Sequence, residues 1–175
     1  EIMEEVADEM SQLAKEFSFD YVFKASFDKA NRSTITGMRG PGLERSLEWF
    51  SKIKEKYKLP ILHQLKYKLP ILTDVHEVWQ VKALSSVCDV YQIPAFLCRQ
   101  TDLVVEAAKT GKIVNIKKGQ FLAPEAMSHI VAKVKETTKA HGLQEQAWLT
   151  ERGFCFGYGD LLVDMRSFPH LASYN

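Results

Sequence analysis

Five short apolar runs in the sequence are each followed at once by polar residues that bind charge. Phe23 leads into Lys24-Ala25-Ser26-Phe27-Asp28-Lys29-Ala30-Asn31-Arg32-Ser33. Leu72 is followed by Asp74, His76 and Glu77, and Ile93 leads into Pro94-Ala95-Phe96-Leu97-Cys98-Arg99-Gln100. Ile116 leads into Lys117-Lys118-Gly119-Gln120-Phe121, and Leu149 is followed by Glu151-Arg152-Gly153. A single lysine or arginine in such a place is ordinarily solvated or salt-bridged. Cations after four of five runs form a pattern. Lys24, Lys29, Arg32, Arg99, Lys117 and Arg152 are expected to face one shared mouth. Cations gathered in this way need anions, because a desolvated charge without a partner costs several kcal/mol. Phosphate and carboxylate suit them, since guanidinium binds both through paired N–H groups and ammonium acts as a point charge. His76, two residues after Asp74, adds a group for polar recognition or proton transfer. Standing alone it reads as a loop histidine. His63, His129, His141 and His170 lack such company and read as structural or surface residues.

The apolar runs alternate with amphipathic stretches. Met3, Val6, Met10, Leu13 and Phe17 recur at helical spacing, as do Leu43, Leu47, Phe50 and Ile53 after the turn Gly40-Pro41-Gly42. Short strands are expected at Tyr21–Phe23, Leu69–Leu72, Val90–Ile93, Ile113–Ile116 and Ala147–Leu149. Between them, Val78, Val81 and Leu84 mark a short helix, and Leu103–Thr110 a helix stopped by Gly111. Met127, Ile130, Val131 and Val134 mark a helix after Pro124, ended by Gly142. Strands of four or five residues alternating with helices make βα units and a parallel sheet. An open doubly wound sheet and a (β/α)8 barrel both satisfy that pattern, and both place chemistry at the C-terminal ends of the strands.

Composition narrows the class. The chain has 175 residues, 46% apolar and 26% charged, close to a globular average. That excludes a disordered, collagenous or disulfide-scaffold chain, and 175 residues suit one domain. No apolar run approaches the ~20 residues that span a bilayer, so no membrane association is expected. The 23 basic and 22 acidic residues give a net charge of +1, which argues against a nucleic-acid partner. Cys88, Cys98 and Cys155 are odd in number and widely spaced, as free thiols are in a reducing compartment, and the cytoplasm is the expected location. The N-terminus has the character of a helix already under way rather than of a signal peptide. One segment recurs: Tyr57-Lys58-Leu59-Pro60-Ile61-Leu62 returns as Tyr67-Lys68-Leu69-Pro70-Ile71-Leu72. Only the second copy leads into the polar cluster at Asp74, so it is expected to be the strand, with the first copy lengthening the preceding connection.

The strand-end segments together resemble the 3-deoxy-D-manno-octulosonate-8-phosphate synthase family. The resemblance rests on the run Phe23 to Ser33, Arg39-Gly40-Pro41-Gly42-Leu43, Thr73-Asp74-Val75-His76-Glu77 and Gln92 through Leu103. It continues with Asn115-Ile116-Lys117-Lys118-Gly119-Gln120-Phe121, Thr150-Glu151-Arg152-Gly153 and Phe156-Gly157-Tyr158. Lys29-Ala30-Asn31-Arg32-Ser33 sets this family apart from cousins that use erythrose 4-phosphate and carry a Lys-Pro-Arg-Thr-type segment. The resemblance implies a (β/α)8 barrel, here an incomplete one over residues 1–175 that lacks the first strand and the last two. It implies condensation of phosphoenolpyruvate with D-arabinose 5-phosphate, a homotetramer, and a place in lipopolysaccharide biosynthesis. It also implies roles. Lys24, Lys117 and Arg152 hold the phosphate and carboxylate of phosphoenolpyruvate, and Lys29 reaches the reacting end. Asn31, Arg32 and Ser33 hold the sugar phosphate, and Asp74 binds sugar hydroxyls. Gln92, His76 and Gln120 line the site, with His76 orienting water or moving protons. Arg99 reaches the sugar phosphate of a neighbouring subunit.

Metal-dependent members of that family take their ligands from a Cys on the first strand, a His in an Asp-x-Thr-His segment, a Glu and an Asp. Residues 1–175 contain none of those positions, so no metal ligand is assigned and the cofactor stays open. Two function classes follow. One is an enzyme of this family represented in part. The other is a non-catalytic chain that keeps the strand-end face as an anion-binding or oligomerising module.

Overall fold

The computed structural model describes residues 2–57, 69–156 and 159–174. The chain divides into two compact units. The first comprises Glu1–Asp74 with Leu84–Val90, and the second Val75–Ala83 with Tyr91–Asn175. Lys58–Leu62 of the first repeat copy, Tyr67-Lys68 of the second, His63, Gly157 and Tyr158 lie outside the described residues.

The first unit contains α1 (Ile2–Glu16), β1 (Phe23–Lys24), α2 (Leu43–Lys56) and β2 (Ile71–Asp74). In α1 the apolar spacing does not define the buried face. Ala7, Ser11 and Ala14 are buried, while Val6 and Phe17 are exposed. These are small side chains at spacings of four and three, which fall on one helix face. α2 follows its pattern more directly, burying Ser46, Phe50 and Ile53, with Glu44 in its first turn and Lys54 and Lys56 in its last, where they complement the helix dipole. Tyr57 closes α2 through its N–H to the Ile53 carbonyl at 3.0 Å, and its hydroxyl donates to the Glu4 carbonyl of α1 at 3.3 Å.

β1 and β2 pair in parallel, Phe23 opposite Ile71 and Lys24 opposite Leu72. β2 comes from the second copy of the repeat, as its sequence context requires, but begins two residues later than the expected Leu69–Leu72 and runs through Asp74. Pro70 has no N–H to donate and serves the sheet only as an acceptor, taking the Phe23 N–H at 2.9 Å. The first unpaired donor of β2, the Ile71 N–H, binds the Asp89 carboxylate at 2.9 Å, and Lys54 Nζ binds the same carboxylate at 2.6 and 2.7 Å. That clip anchors the strand. β1 is shorter than the expected Tyr21–Phe23 and moves one residue on, with Tyr21 and Val22 half-buried outside it.

The second unit carries α3 (Val78–Leu84), β3 (Val90–Ile93), α4 (Thr101–Lys109), β4 (Ile113–Lys117), α5 (Met127–Ala140), β5 (Ala147–Thr150) and α6 (Ser167–Ala172), apart from the ends of α3 and β3 at Leu84 and Val90. β3, β4 and β5 are neighbours in sequence order. β4 and β5 are parallel, with Val114 opposite Ala147 and Lys117 opposite Thr150. Val104, Ala107, Ala108, Val114, Ile116, Ile130, Val131 and Val134 are all buried. Gly111 and Gly142 end α4 and α5 with φ of 69° and 64°, which costs glycine no Cβ clash. Pro124 opens a separate 3-10 turn, Pro124–Ala126, ahead of α5. The parallel α/β class expected from the sequence is thus present in both units. Among the described residues no helix is long and apolar enough to cross a membrane.

Candidate functional site

Four of the predicted site residues sit within the strand ends themselves, and the other eight follow in the loops and turns beyond them. Lys24 ends β1, Asp74 ends β2, Lys117 ends β4 and Gln92 is the penultimate residue of β3. That is the position from which a parallel strand aims side chains at a ligand, clear of the flanking helices.

In the first unit, Lys24 and Lys29 converge. Their ammonium groups donate to one oxygen, Ser26 Oγ, at 3.0 and 2.8 Å. Two like charges on one neutral hydroxyl repel, and an anion placed beside them relieves the repulsion. Both lysines are exposed. The loop that follows is folded on itself. Lys29 N–H donates to the Arg39 carbonyl at 2.6 Å, Gly42 N–H to the Phe27 carbonyl at 3.0 Å, and Arg32 Nε to the Met38 carbonyl at 2.7 Å. Arg39 forms a two-point ion pair with Asp28, whose carboxylate holds the guanidinium pKa above its usual value. Gly40 has φ of 117°, and a Cβ there would lie 3.0 Å from the Phe27 carbonyl. Arg39-Gly40-Pro41-Gly42 is therefore the clasp of the loop that presents Lys29, Asn31, Arg32 and Ser33, a role that spacing alone did not disclose. Asn31, Arg32 and Ser33 are all exposed, and Asp74 at the end of β2 is half-buried.

In the second unit, half-buried His76 stands just ahead of α3. Gln80 holds this entry, accepting the backbone N–H of His76 at 2.8 Å and of Glu77 at 3.2 Å. A glutamine three residues into a helix entry is a capping signature legible in sequence. Beneath Lys117, Thr150 Oγ1 donates to Asn115 Oδ1 at 2.7 Å, tying β5 to β4. Gln92 is buried, and its carbonyl takes the Val75 N–H at 3.1 Å. Gln120 Oε1 is buried and has no hydrogen-bond partner among the described residues. Arg99 and Arg152 are exposed, and neither guanidinium has a partner among the described residues. The Arg99 backbone is fixed by Lys133 Nζ, which reaches its carbonyl at 3.3 Å and Thr101 Oγ1 at 2.7 Å.

Three features of this unit were not foreseen. Lys118, adjacent to Lys117, is 1% exposed and paired with Glu151 at 3.4 Å. Nothing in a Lys-Lys pair says which member turns inward; the end of β4 decides it, because successive side chains at a strand end point to opposite faces. Second, Phe96, Phe121 and Phe156 form an exposed stack, with ring centroids 5.7 Å apart for Phe96–Phe156 and 6.1 Å for Phe121–Phe156. Gly119 makes room for it, since a Cβ there would lie 2.7 Å from the Phe121 ring. Third, Cys98 is buried, and burial pushes its thiol pKa up. Among the described residues no group of three or more His, Cys, Asp or Glu side chains is placed to hold a metal ion.

Comparison with known proteins gives a consistent picture. The sequence model of the DAHP synthetase I family matches residues 1–175. The 2-dehydro-3-deoxyphosphooctonate aldolase of Fusobacterium nucleatum is 49% identical over 175 residues, all of this chain and 58% of that protein. Proteins of the same name from Wolinella succinogenes and Helicobacter hepaticus are each 51% identical, over 95% and 99% of this chain and 62% and 63% of their own lengths. The chain thus spans about three fifths of the curated relatives it matches.

Proposed function

The chain belongs to the DAHP synthetase I family, whose fold is a (β/α)8 barrel, and on that premise we propose that it is part of an enzyme condensing phosphoenolpyruvate with D-arabinose 5-phosphate. The product is 3-deoxy-D-manno-octulosonate 8-phosphate, with inorganic phosphate released. The observation that carries this reading is the state of the strand-end cations. Lys29 and Arg32 rest on a hydroxyl and a carbonyl, and the Arg99 and Arg152 guanidinium groups have no partner among the described residues. A fold that keeps these cations unneutralised keeps them for anions.

In the reaction, C3 of the enol phosphate attacks the sugar aldehyde and forms the new C–C bond. Water adds to the electron-poor C2, and C–O cleavage at C2 expels phosphate. Two phosphates and a carboxylate must come together, and fixed cations offset their repulsion while positioning lowers the barrier. Lys24, Lys117 and Arg152 are assigned to phosphoenolpyruvate and Lys29 to its reacting end. Asn31, Arg32 and Ser33 are assigned to the sugar phosphate, and Asp74 to sugar hydroxyls. His76, held by Gln80, orients water or moves a proton, and Gln92 and Gln120 supply amide contacts. The proposed setting is one partial barrel domain over residues 1–175, working in the cytoplasm. The protein assembles as a homotetramer in which Arg99 serves the sugar phosphate of a neighbour.

Phosphate release by the complete gene product tests this reading. Release that requires both substrates, with one eight-carbon acid formed per phosphate, is the expected result. No release under any substrate pair overturns it and favours the non-catalytic anion-binding module.

A further inference from the structure

We propose that Lys118 is a positioning residue for the phosphoenolpyruvate site: with Glu151 it locks the turn that carries Arg152. The inference rests on the role assigned to Arg152 above and concerns groups that role does not include.

An ammonium that is 1% exposed has three N–H donors to satisfy. Lys118 Nζ finds the Gly153 carbonyl at 2.7 Å and the Leu122 and Gly119 carbonyls at 3.3 Å each, with Glu151 Oε1 at 3.4 Å. The Glu151 carboxylate is equally committed. Its Oε1 accepts the Gly153 N–H at 2.6 Å and the Arg152 N–H at 2.9 Å, and its Oε2 accepts the Ser167 hydroxyl of α6 at 2.7 Å. The turn is therefore gripped at the amides of Arg152 and Gly153 by the anion, and at the Gly153 carbonyl by the cation. Gly153 takes φ of 87°, and a Cβ there would lie 2.7 Å from the Leu162 carbonyl, so the turn admits little else. Lys118 N–H also binds the Thr150 carbonyl at 2.8 Å, one residue before Glu151. Of this turn only the Arg152 guanidinium is exposed and unpartnered among the described residues.

Burying a charge pair is seldom the most stabilising choice, and replacing both members by neutral groups is often tolerated. Removing one member leaves a buried charge alone, and the turn then opens to solvate it. Arg152 loses its fixed position in that event, while the loop holding Asn31, Arg32 and Ser33 is untouched.

The test compares Lys118→Met, Glu151→Gln and the double variant in the complete gene product. Steady-state kinetics are measured for each substrate separately. Each single variant is expected to raise KM for phosphoenolpyruvate by about tenfold or more, with KM for arabinose 5-phosphate within about twofold of wild type. The double variant is expected to fall well short of the product of the two single effects, because the groups act as a unit. A purely structural pair predicts something else: a lower active fraction or lower Tm, with both KM values unchanged. That result in either folded single variant overturns the inference, and Glu151→Gln decides alone if Lys118→Met does not fold. A wild-type enzyme without condensation activity is a separate failure, of the functional reading itself, and takes this inference with it.

Discussion

Two lysine-rich strand ends in this chain treat their charge in opposite ways. At the end of β1, Lys24 and Lys29 are exposed and both lean on a neutral hydroxyl, Ser26 Oγ. At the end of β4, Lys118 is buried against Glu151 and three carbonyls. The first arrangement leaves positive charge facing water, where an added anion can approach it. The second consumes its charge internally and converts it into rigidity of a turn. Composition counts these lysines alike. Their surroundings divide them into those exposed to solvent and those spent on internal contacts.

The largest expected effect tests the binding class. Lys117→Ala should reduce turnover by about a thousandfold while the Tm stays within a few degrees of wild type, since the side chain is half-buried at a strand end. Calorimetry beside the phosphate-release assay checks both parts, and an unfolded variant would move Lys117 into the other class. Lys29→Ala should cost about a hundredfold in kcat/KM, again without loss of stability, because the lysine is exposed and its partner is a neutral hydroxyl. Next comes the scaffold. Gly153→Ala should destabilise by about 2–4 kcal/mol in urea unfolding, since an L residue at φ of 87° is strained and its Cβ meets the Leu162 carbonyl. If Gly153→Ala proved neutral, the turn would be less constrained than the Lys118–Glu151 grip requires.

Two smaller effects probe the same contrast by reagent and by pH. Burial pushes the Cys98 thiol above its usual pKa, so at pH 8 it should resist iodoacetamide in the folded protein and react in urea. Mass mapping of the modified cysteines reads this out. Asp164 lies at the exposed end of the range. Hydrogen bonds from Arg166 lower its pKa from 3.8 to about 2. A carboxyl lowered on folding stabilises above its unfolded value and loses that contribution as pH falls toward the folded one. The small Tm difference between wild type and Asp164→Asn should therefore be constant above pH 5 and fade between pH 3.8 and about 2.

Much of this architecture was legible from the sequence. The alternation of short apolar runs with amphipathic stretches gave the parallel α/β class, and the residues after each run gave the candidate binding set. The misses have physical causes. Pro70 displaces the start of β2 because a strand needs donors that proline lacks. The buried face of α1 is made of Ala7, Ser11 and Ala14, which a search for large apolar residues passes over. α6 has six residues with Pro169 among them, too few for a period to show. Lys118 and Glu151 stand in two separate strand-end segments, and only the fold brings them together as a pair across 33 residues of chain. The clasp at Arg39-Gly40 is hidden in the same way, by a loop closure back to Phe27, Asp28 and Lys29.

The loop from Lys29 to Ser33 selects the second substrate in this account, and its choice is the most direct test of the whole. Phosphate release should be measured on the complete gene product with phosphoenolpyruvate and, in parallel, arabinose 5-phosphate or erythrose 4-phosphate. Turnover is expected with the five-carbon sugar phosphate, and a rate lower by about a hundredfold or more with the four-carbon one. Preference for erythrose 4-phosphate, or release without either sugar, would contradict it.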